Sequence, residues 1–232
     1  MKLHRFFCEF DPAAEKIRLA DADHVNQIKN VLRLKAGSEL VLFDGKLNEA
    51  LAKIGEIGKD FVDLEIIGVT KNTNEPTREV ILYCAILKKE NFELVAQKAV
   101  EIGMSRIVPL LTKRTIKLNI NRERLIKIIQ EAAEQSGRGS IPVLSESMEF
   151  GEAIKEAAKN DLNILLDQGG ESFKSPTKSI KQVGIFIGPE GGWEENEIEM
   201  AKGASFKLAN LGKLTLRAET AAIVASYLYV QA

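Results

Sequence analysis

The chain has 232 residues, 45% of them apolar and 28% charged, and a formal net charge of −1. That length fits one large domain or two small ones, and the near-neutral balance excludes a protein held to nucleic acid by bulk charge. Two cysteines (Cys8, Cys84) and two histidines (His4, His24) show no ligand-like spacing, so no metal site is expected and a reduced cytoplasmic setting is.

The opening MKLHRFFCEFD is too short and too charged for a secretory leader. The longest apolar run, Ile81 to Leu87, is too short to cross a bilayer, so no membrane partner is expected. Charge is unevenly spread: residues 1–70 carry a net −2, residues 78–138 a net +5 and residues 139–232 a net −4. A basic segment in a neutral protein suits contact with a few phosphates, or simple solvation of helix faces.

Residues 1–69 read mostly as β-structure. Leu40–Gly45 is a strand ending in an Asp-Gly turn, EALAKIGEIG follows, and Asp60–Val69 alternates apolar and polar residues. One helix, about Asp21–Leu32, interrupts them, and the whole suggests a small barrel. Thr70–Thr77 is polar and aperiodic and reads as a linker. Strands and helices then alternate. Strands are expected at Glu79–Leu87, Arg106–Leu111, Leu162–Leu166, Val183–Ile187 and Phe206–Leu208. Helices are expected at Glu90–Ile102, Arg122–Gln135, Glu149–Ala158, Glu194–Ala201 and Ala218–Val230. This order implies a mainly parallel sheet covered on both faces.

Two late motifs carry chemistry. In IGPEGGW, Ile187–Trp193, a strand ends in glycines that let a ligand approach backbone groups. The string is neither GxGxxG nor a Walker loop. Glu194, Glu195 and Glu197 open the next helix and would repel a phosphate there, so a phosphate-free, positively charged ligand such as S-adenosylmethionine fits better than NAD, FAD or ATP. In LGKLTLRAETAA, Leu211–Ala222, Gly212 permits a tight turn, and Arg217 and Glu219 sit at the mouth of an apolar helix. They read either as a salt bridge or as an active-site arginine held by a carboxylate. Lys88, Lys113 and Arg114 fall at strand ends, where α/β sheets meet ligands. Arg138 at a helix end, and Arg5, His24 and Arg33 in the first domain, are the other candidate RNA contacts.

IGPEGG, LRAETA, QKAVEIG, EQSGR and HVNQIKNVLRLKAG together closely resemble the bacterial 16S ribosomal RNA uracil-N3 methyltransferases of the SPOUT superfamily. The resemblance spans almost the whole chain. It implies an α/β protein with an N-terminal PUA-like β-barrel for RNA, residues 1–70, a linker, 71–77, and a C-terminal SPOUT trefoil-knot domain, 78–232. It also implies a homodimer acting on the small ribosomal subunit, with S-adenosylmethionine as methyl donor. The donor would be held by Leu165 and Leu166, by Ile187, Gly188, Gly191 and Gly192, and by Leu208, Leu211, Gly212, Leu214 and Leu216. Arg217, Glu219 and Glu190 are the candidate catalytic groups. Where many relatives have Pro-Arg after the glycine that aligns with Gly212, this chain has Lys213-Leu214. A same-fold enzyme acting on tRNA or on another rRNA atom, and a non-catalytic RNA-binding factor, are the competing readings.

Overall fold

In a computed structural model of the chain, residues 3–88, 90–116 and 120–232 are described. The chain divides into two compact units, Met1–Glu75 with Ala133–Ile141, and Pro76–Ala132 with Pro142–Ala232.

The first unit is built on strands β1 (Arg5–Phe7), β2 (Lys16–Leu19), β3 (Glu39–Phe43), β4 (Asn48–Ile57) and β5 (Val62–Lys71), in the order β1-β3-β4-β5-β2. β1 pairs with β3 in parallel, and the other pairings are antiparallel. Alternation turns Leu40 and Leu42, Ala50, Ala52 and Ile54, and Val62 and Leu64 to one core, which Phe6, Val25 and Ile28 complete. Asp44 builds the turn into β4: its Oδ1 accepts from Lys46 N at 2.7 Å and Asn48 N at 3.0 Å. Two register shifts kink β4 against β5, at Leu51/Ala52 and at Ile54/Glu56. The helix expected over Asp21–Leu32 is a short α1 (Ala22–Asn26), N-capped by the Asp21 carboxylate, that passes into one π-helical stretch, Gln27–Val31. The linker expected from Thr70 begins later, because Thr70 and Lys71 still pair with Glu49 and Asn48. The short β1 and β2 have too few residues to show a period.

The second unit holds strands β6 (Glu79–Ala85), β7 (Arg106–Leu111), β8 (Val143–Leu144), β9 (Met148–Glu149), β10 (Leu162–Ser172), β11 (Gln182–Ile187) and β12 (Lys207–Asn210). Their order is β12-β10-β11-β6-β7-β8, with β9 also pairing to β7, and every pairing is parallel. Helices α2 (Glu90–Ile102), α3 (Arg122–Ser136), α4 (Phe150–Ala157), α5 (Glu195–Gly203) and α6 (Ala218–Gln231) connect or follow them; α3 is divided between the units after Ala132. Val80 through Ala85 of β6 are all buried, the unbroken apolar run of a strand covered on both faces. Tyr83 stacks on Phe186 at 4.3 Å, and Phe150 and Phe206 pack around Phe186. Gly184 is needed inside this sheet, since a Cβ there would stand 2.4 Å from Asn163 Oδ1. Several strands depart from expectation: β6 stops at Ala85 rather than Leu87, and β8 and β9 were not expected. β12 starts and ends slightly later than Phe206–Leu208. β10 runs on past Gly169–Gly170 and, after a bulge, pairs again with β12.

The C-terminal end of this unit's last helix is tied down by Arg78. The buried guanidinium donates to the carbonyls of Tyr229 (3.0 Å) and Ala232 (2.8 Å) and to those of Ile180 (3.1 Å) and Thr177 (3.3 Å). A cation on orphan carbonyls at a helix C-terminus is favoured by the helix dipole. No helix among the described residues is long and apolar enough to cross a membrane.

Candidate active site

Strands β12, β10 and β11 lie side by side and point the same way, so the segments that follow them gather at one edge of the sheet. A cavity of about 540 Å³ opens there. Leu166–Gln168, Ile187–Glu190 with Gly192 and Trp193, and Ala209–Leu211 with Leu214–Glu219 line it, and Asn91 of α2 and Ala221 of α6 complete the wall. Ligands of α/β sheets bind at this end of the strands.

The middle segment is a tight turn. Gly192 N donates to Pro189 O at 2.9 Å, and Gly192 has φ 71°, a left-handed conformation that favours glycine. Trp193 folds back over Gly188, where a Cβ would lie 3.0 Å from the indole, and donates its Nε1–H to Leu166 O at 2.9 Å. That bond ties the turn after β11 to β10. The third segment is held through Asn210. Its Nδ2 donates to Gly170 O at 2.6 Å, and its Oδ1 accepts from Gly212 N at 3.1 Å. Gln168 Nε2 reaches Leu214 O at 3.3 Å. Gly212 has φ 121°, which an L-residue rarely adopts.

Of the residues expected to hold a cofactor, Leu166, Ile187, Gly188, Gly192, Leu211, Leu214 and Leu216 line the cavity. Leu165 does not: it is fully buried in the core beneath the sheet, because alternate strand residues face opposite ways. Leu208 packs against that same core. Gly191 turns its carbonyl away, toward Arg114 Nη1 at 2.8 Å, and Gly212 acts through the bend it permits. Asn91 and Gln168 were not expected there. Each is an ordinary polar residue whose only signal is a position that the fold brings to the cavity.

All three candidate catalytic groups reach the cavity wall. Arg217 precedes the first residue of α6 and is 86% exposed; its Nη1 stands 4.0 Å from Oε1 of Glu219, which is 12% exposed. Glu190 Oε1 accepts from Lys88 N at 3.1 Å, which ties the turn to the segment that follows β6. The fully buried Cys84 thiol is pushed up by burial and by the Glu190 charge, which disfavours a thiolate nucleophile there.

Contrary to expectation, the acidic start of α5 does not line the cavity. Glu194, Glu195 and Glu197 are absent from the described lining, and α6, not α5, presents its first turn to the cavity. Glu197 is buried and spends itself in a capping box, accepting from Glu194 N at 2.9 Å and from Lys113 N at 3.0 Å. Glu194 pairs with Arg114 at 3.1 Å.

The candidate RNA contacts divide. Three in the first unit have carboxylate partners within it. Arg138 is 7% exposed at its side chain and grips the Glu75 carboxylate at 2.7 and 3.1 Å. Arg5 pairs with Glu49 at 2.7 Å, donates to Arg138 O and lies over the Phe43 ring. His24 is buried, with Nε2 3.3 Å from Glu134 Oε1 and its ring edge-on to Phe6. Burial lowers the His24 pKa, yet the Glu134, Asp21 and Asp23 carboxylates together outweigh it and raise the net value. Burial likewise opposes ionisation of Glu75, and Arg138 overcomes it and holds the carboxyl below its usual range. A local motif cannot show such pairing, because the partners lie far apart in sequence. Arg33 and Lys88 are exposed; Arg114 is half-exposed and engaged in its own unit.

The chain matches the family described as RNA methyltransferase domain over residues 73–229 and the family described as RNA methyltransferase PUA domain over residues 21–67. It is 33% identical to the ribosomal RNA small subunit methyltransferase E of Rickettsia conorii, over 97% of this chain and 94% of the relative. A Legionella pneumophila methyltransferase solved with bound SAM superposes with a TM-score of 0.87 at 31% identity, covering 97% of this chain and 96% of that one. The ribosomal RNA small subunit methyltransferase E of Neisseria gonorrhoeae, bound to S-adenosyl methionine, superposes with a TM-score of 0.89 at 27% identity, over 97% and 95% of the two chains. With its parallel α/β sheet and PUA-like N-terminal region, the chain belongs to the ribosomal RNA small subunit methyltransferase E family of RNA methyltransferases.

Proposed function

We propose that this protein transfers a methyl group from S-adenosylmethionine to N3 of one uridine in small-subunit ribosomal RNA. The observation that carries the reading is the single cavity in which the turns after three neighbouring parallel strands converge on Arg217 and Glu219. Its walls combine aliphatic side chains and glycines with the carboxylates of Asp167, Glu190 and Glu219, a mixture suited to a flat heterocycle and a sulfonium, and relatives of the same fold are bound to that donor.

The acceptor is an imide nitrogen on the Watson–Crick edge, so the base must be unpaired or swung out. Methyl transfer is an in-line displacement: the N3 lone pair forms the N–C bond as the S–C bond breaks, leaving a neutral thioether. The imide proton must leave, and negative charge spreads to the uracil carbonyls. Arg217, exposed at the rim and steadied by Glu219, is placed to neutralise that charge. Glu190, Glu219 or solvent accepts the proton.

The first compact unit is taken as the RNA-binding barrel and the second as the methyl-transfer domain, with the linker after Lys71 rather than after Thr70. The trefoil knot is supported by topology. β12 lies at the sheet edge beside β10, yet α6, which follows it, packs on β6, β11 and α2. A homodimer is supported by the exposed Tyr227 and Val224 of α6 and Leu94 of the adjoining α2. A cytoplasmic location follows from the ribosomal substrate. The test is to delete the gene and digest small-subunit RNA for mass spectrometry. Loss of one methyluridine, restored by the intact gene but not by the Arg217→Ala gene, supports the reading; an unchanged nucleoside profile sinks it.

A further inference from the structure

Among the basic residues at the strand ends, Arg114 stands apart, because it has an occupation. It leaves a turn after β7 that is fixed twice over. Thr112 N donates to Thr115 Oγ1 at 3.0 Å, and Lys113 N donates to the buried Glu197 carboxylate at 3.0 Å. From that platform the guanidinium reaches the Pro189–Gly192 turn. Nη1 donates to Gly191 O at 2.8 Å and Nε donates to Glu194 Oε1 at 3.1 Å. Its aliphatic stem lies along Gly191, where a Cβ would meet Arg114 Cβ and Cδ at 3.4 Å. Glu190 and Gly192, on either side of Gly191, line the cavity, whereas Gly191 is held from behind.

We propose that Arg114 is a positioning residue for methyl-donor binding rather than a contact to RNA. It rests on the reading that this cavity holds S-adenosylmethionine. Two glycines in succession leave the turn many conformations in the free protein, and a donor that needs one of them would bear the cost of selecting it. Arg114 removes that cost beforehand. It fixes the Gly191 carbonyl through a charged donor and fixes Glu194, the residue that caps α5, through an ion pair. A phosphate at Arg114 would have to compete with both.

The experiment uses the full-length protein and measures three quantities: calorimetric affinity for S-adenosylmethionine, KM and kcat on small ribosomal subunits, and RNA affinity against salt. For Arg114→Ala, the expected result is a donor Kd and KM raised about tenfold, the size of one charge-assisted hydrogen bond. Turnover at saturating donor stays within about twofold and the salt slope of RNA binding is unchanged. Arg114→Lys, which can keep the bond to Gly191 O, recovers part of the donor affinity. Glu194→Gln supplies the opposed test. It releases half of the guanidinium, so donor binding weakens about twofold if Arg114 is a brace, whereas RNA binding tightens if Arg114 is an RNA contact. Unchanged donor affinity in Arg114→Ala overturns the proposal, as does a salt slope shallower by about one. Failure of the unaltered protein to bind the donor overturns instead the function on which it rests.

Discussion

Arginines occur both in the first unit and around the cavity of the second, and the two sets are used differently. Arg5 and Arg138 are folded inward onto Glu49 and Glu75, and His24 is buried against Glu134. Arg217 stands 86% exposed at a cavity rim with one carboxylate 4.0 Å away. The first arrangement spends charge on holding a small unit together; the second keeps charge available for a charge that develops during reaction. In a chain of net charge −1, a cation's role is therefore set by whether a carboxylate has closed on it.

The sharpest way to break that comparison is to remove one buried partner. Arg138→Ala leaves Glu75 half-enclosed without its cation and should destabilise the first unit by about 3 kcal/mol. Urea denaturation followed by a probe in that unit would show it, and a loss under about 0.5 kcal/mol would mean the pair is solvated after all. The mirror experiment is Arg217→Ala. It should lower kcat by on the order of a hundredfold, with stability and donor affinity unchanged, because an exposed cation is missed only as charge builds on the base. Normal turnover at saturating donor would remove Arg217 from the mechanism.

A smaller effect is expected from Trp193→Phe. The ring remains but the bond from Nε1 to Leu166 O goes, weakening donor binding by about 1 kcal/mol through the tie between β10 and the turn after β11. Calorimetry reads it directly. The smallest effect is the pH dependence of the first unit. His24 has a raised pKa, so its contribution is complete below its ordinary value of 6.5 and fades as pH rises through the elevated one. Glu75 has a lowered pKa, so its contribution is present above its ordinary 4.5 and is lost as pH falls through the depressed one. Thermal melts should thus be highest between the two, with His24→Asn flattening the alkaline side and Glu75→Gln the acid side.

Much of the second unit was legible in the sequence. Buried parallel strands announce themselves as unbroken apolar runs, and Glu79–Leu87 and Val183–Ile187 were placed to within two residues. The very short β1, β2, β8 and β9 were not, since two to four residues cannot establish a period. The glycine turns pointed to the cavity, but only the fold shows which glycine faces it. Gly192 does, whereas Gly191 serves Arg114 behind it. The partners of Arg138 and His24 were hidden for the same reason. Glu75 and Glu134 lie 63 and 110 residues away, beyond the reach of any local pattern. Asn91 joins the wall because β6 lies next to β11, a neighbourhood that exists only in the sheet.

The most direct test of the account combines the purified protein with methyl-labelled S-adenosylmethionine and small ribosomal subunits from cells lacking the gene. The expected result is one label per subunit, on N3 of a single uridine, formed by the unaltered protein and suppressed about a hundredfold by Arg217→Ala. Label on another atom would refute the uridine-N3 assignment, and a protein that binds the subunit but neither holds the donor nor transfers label would contradict the account at its centre.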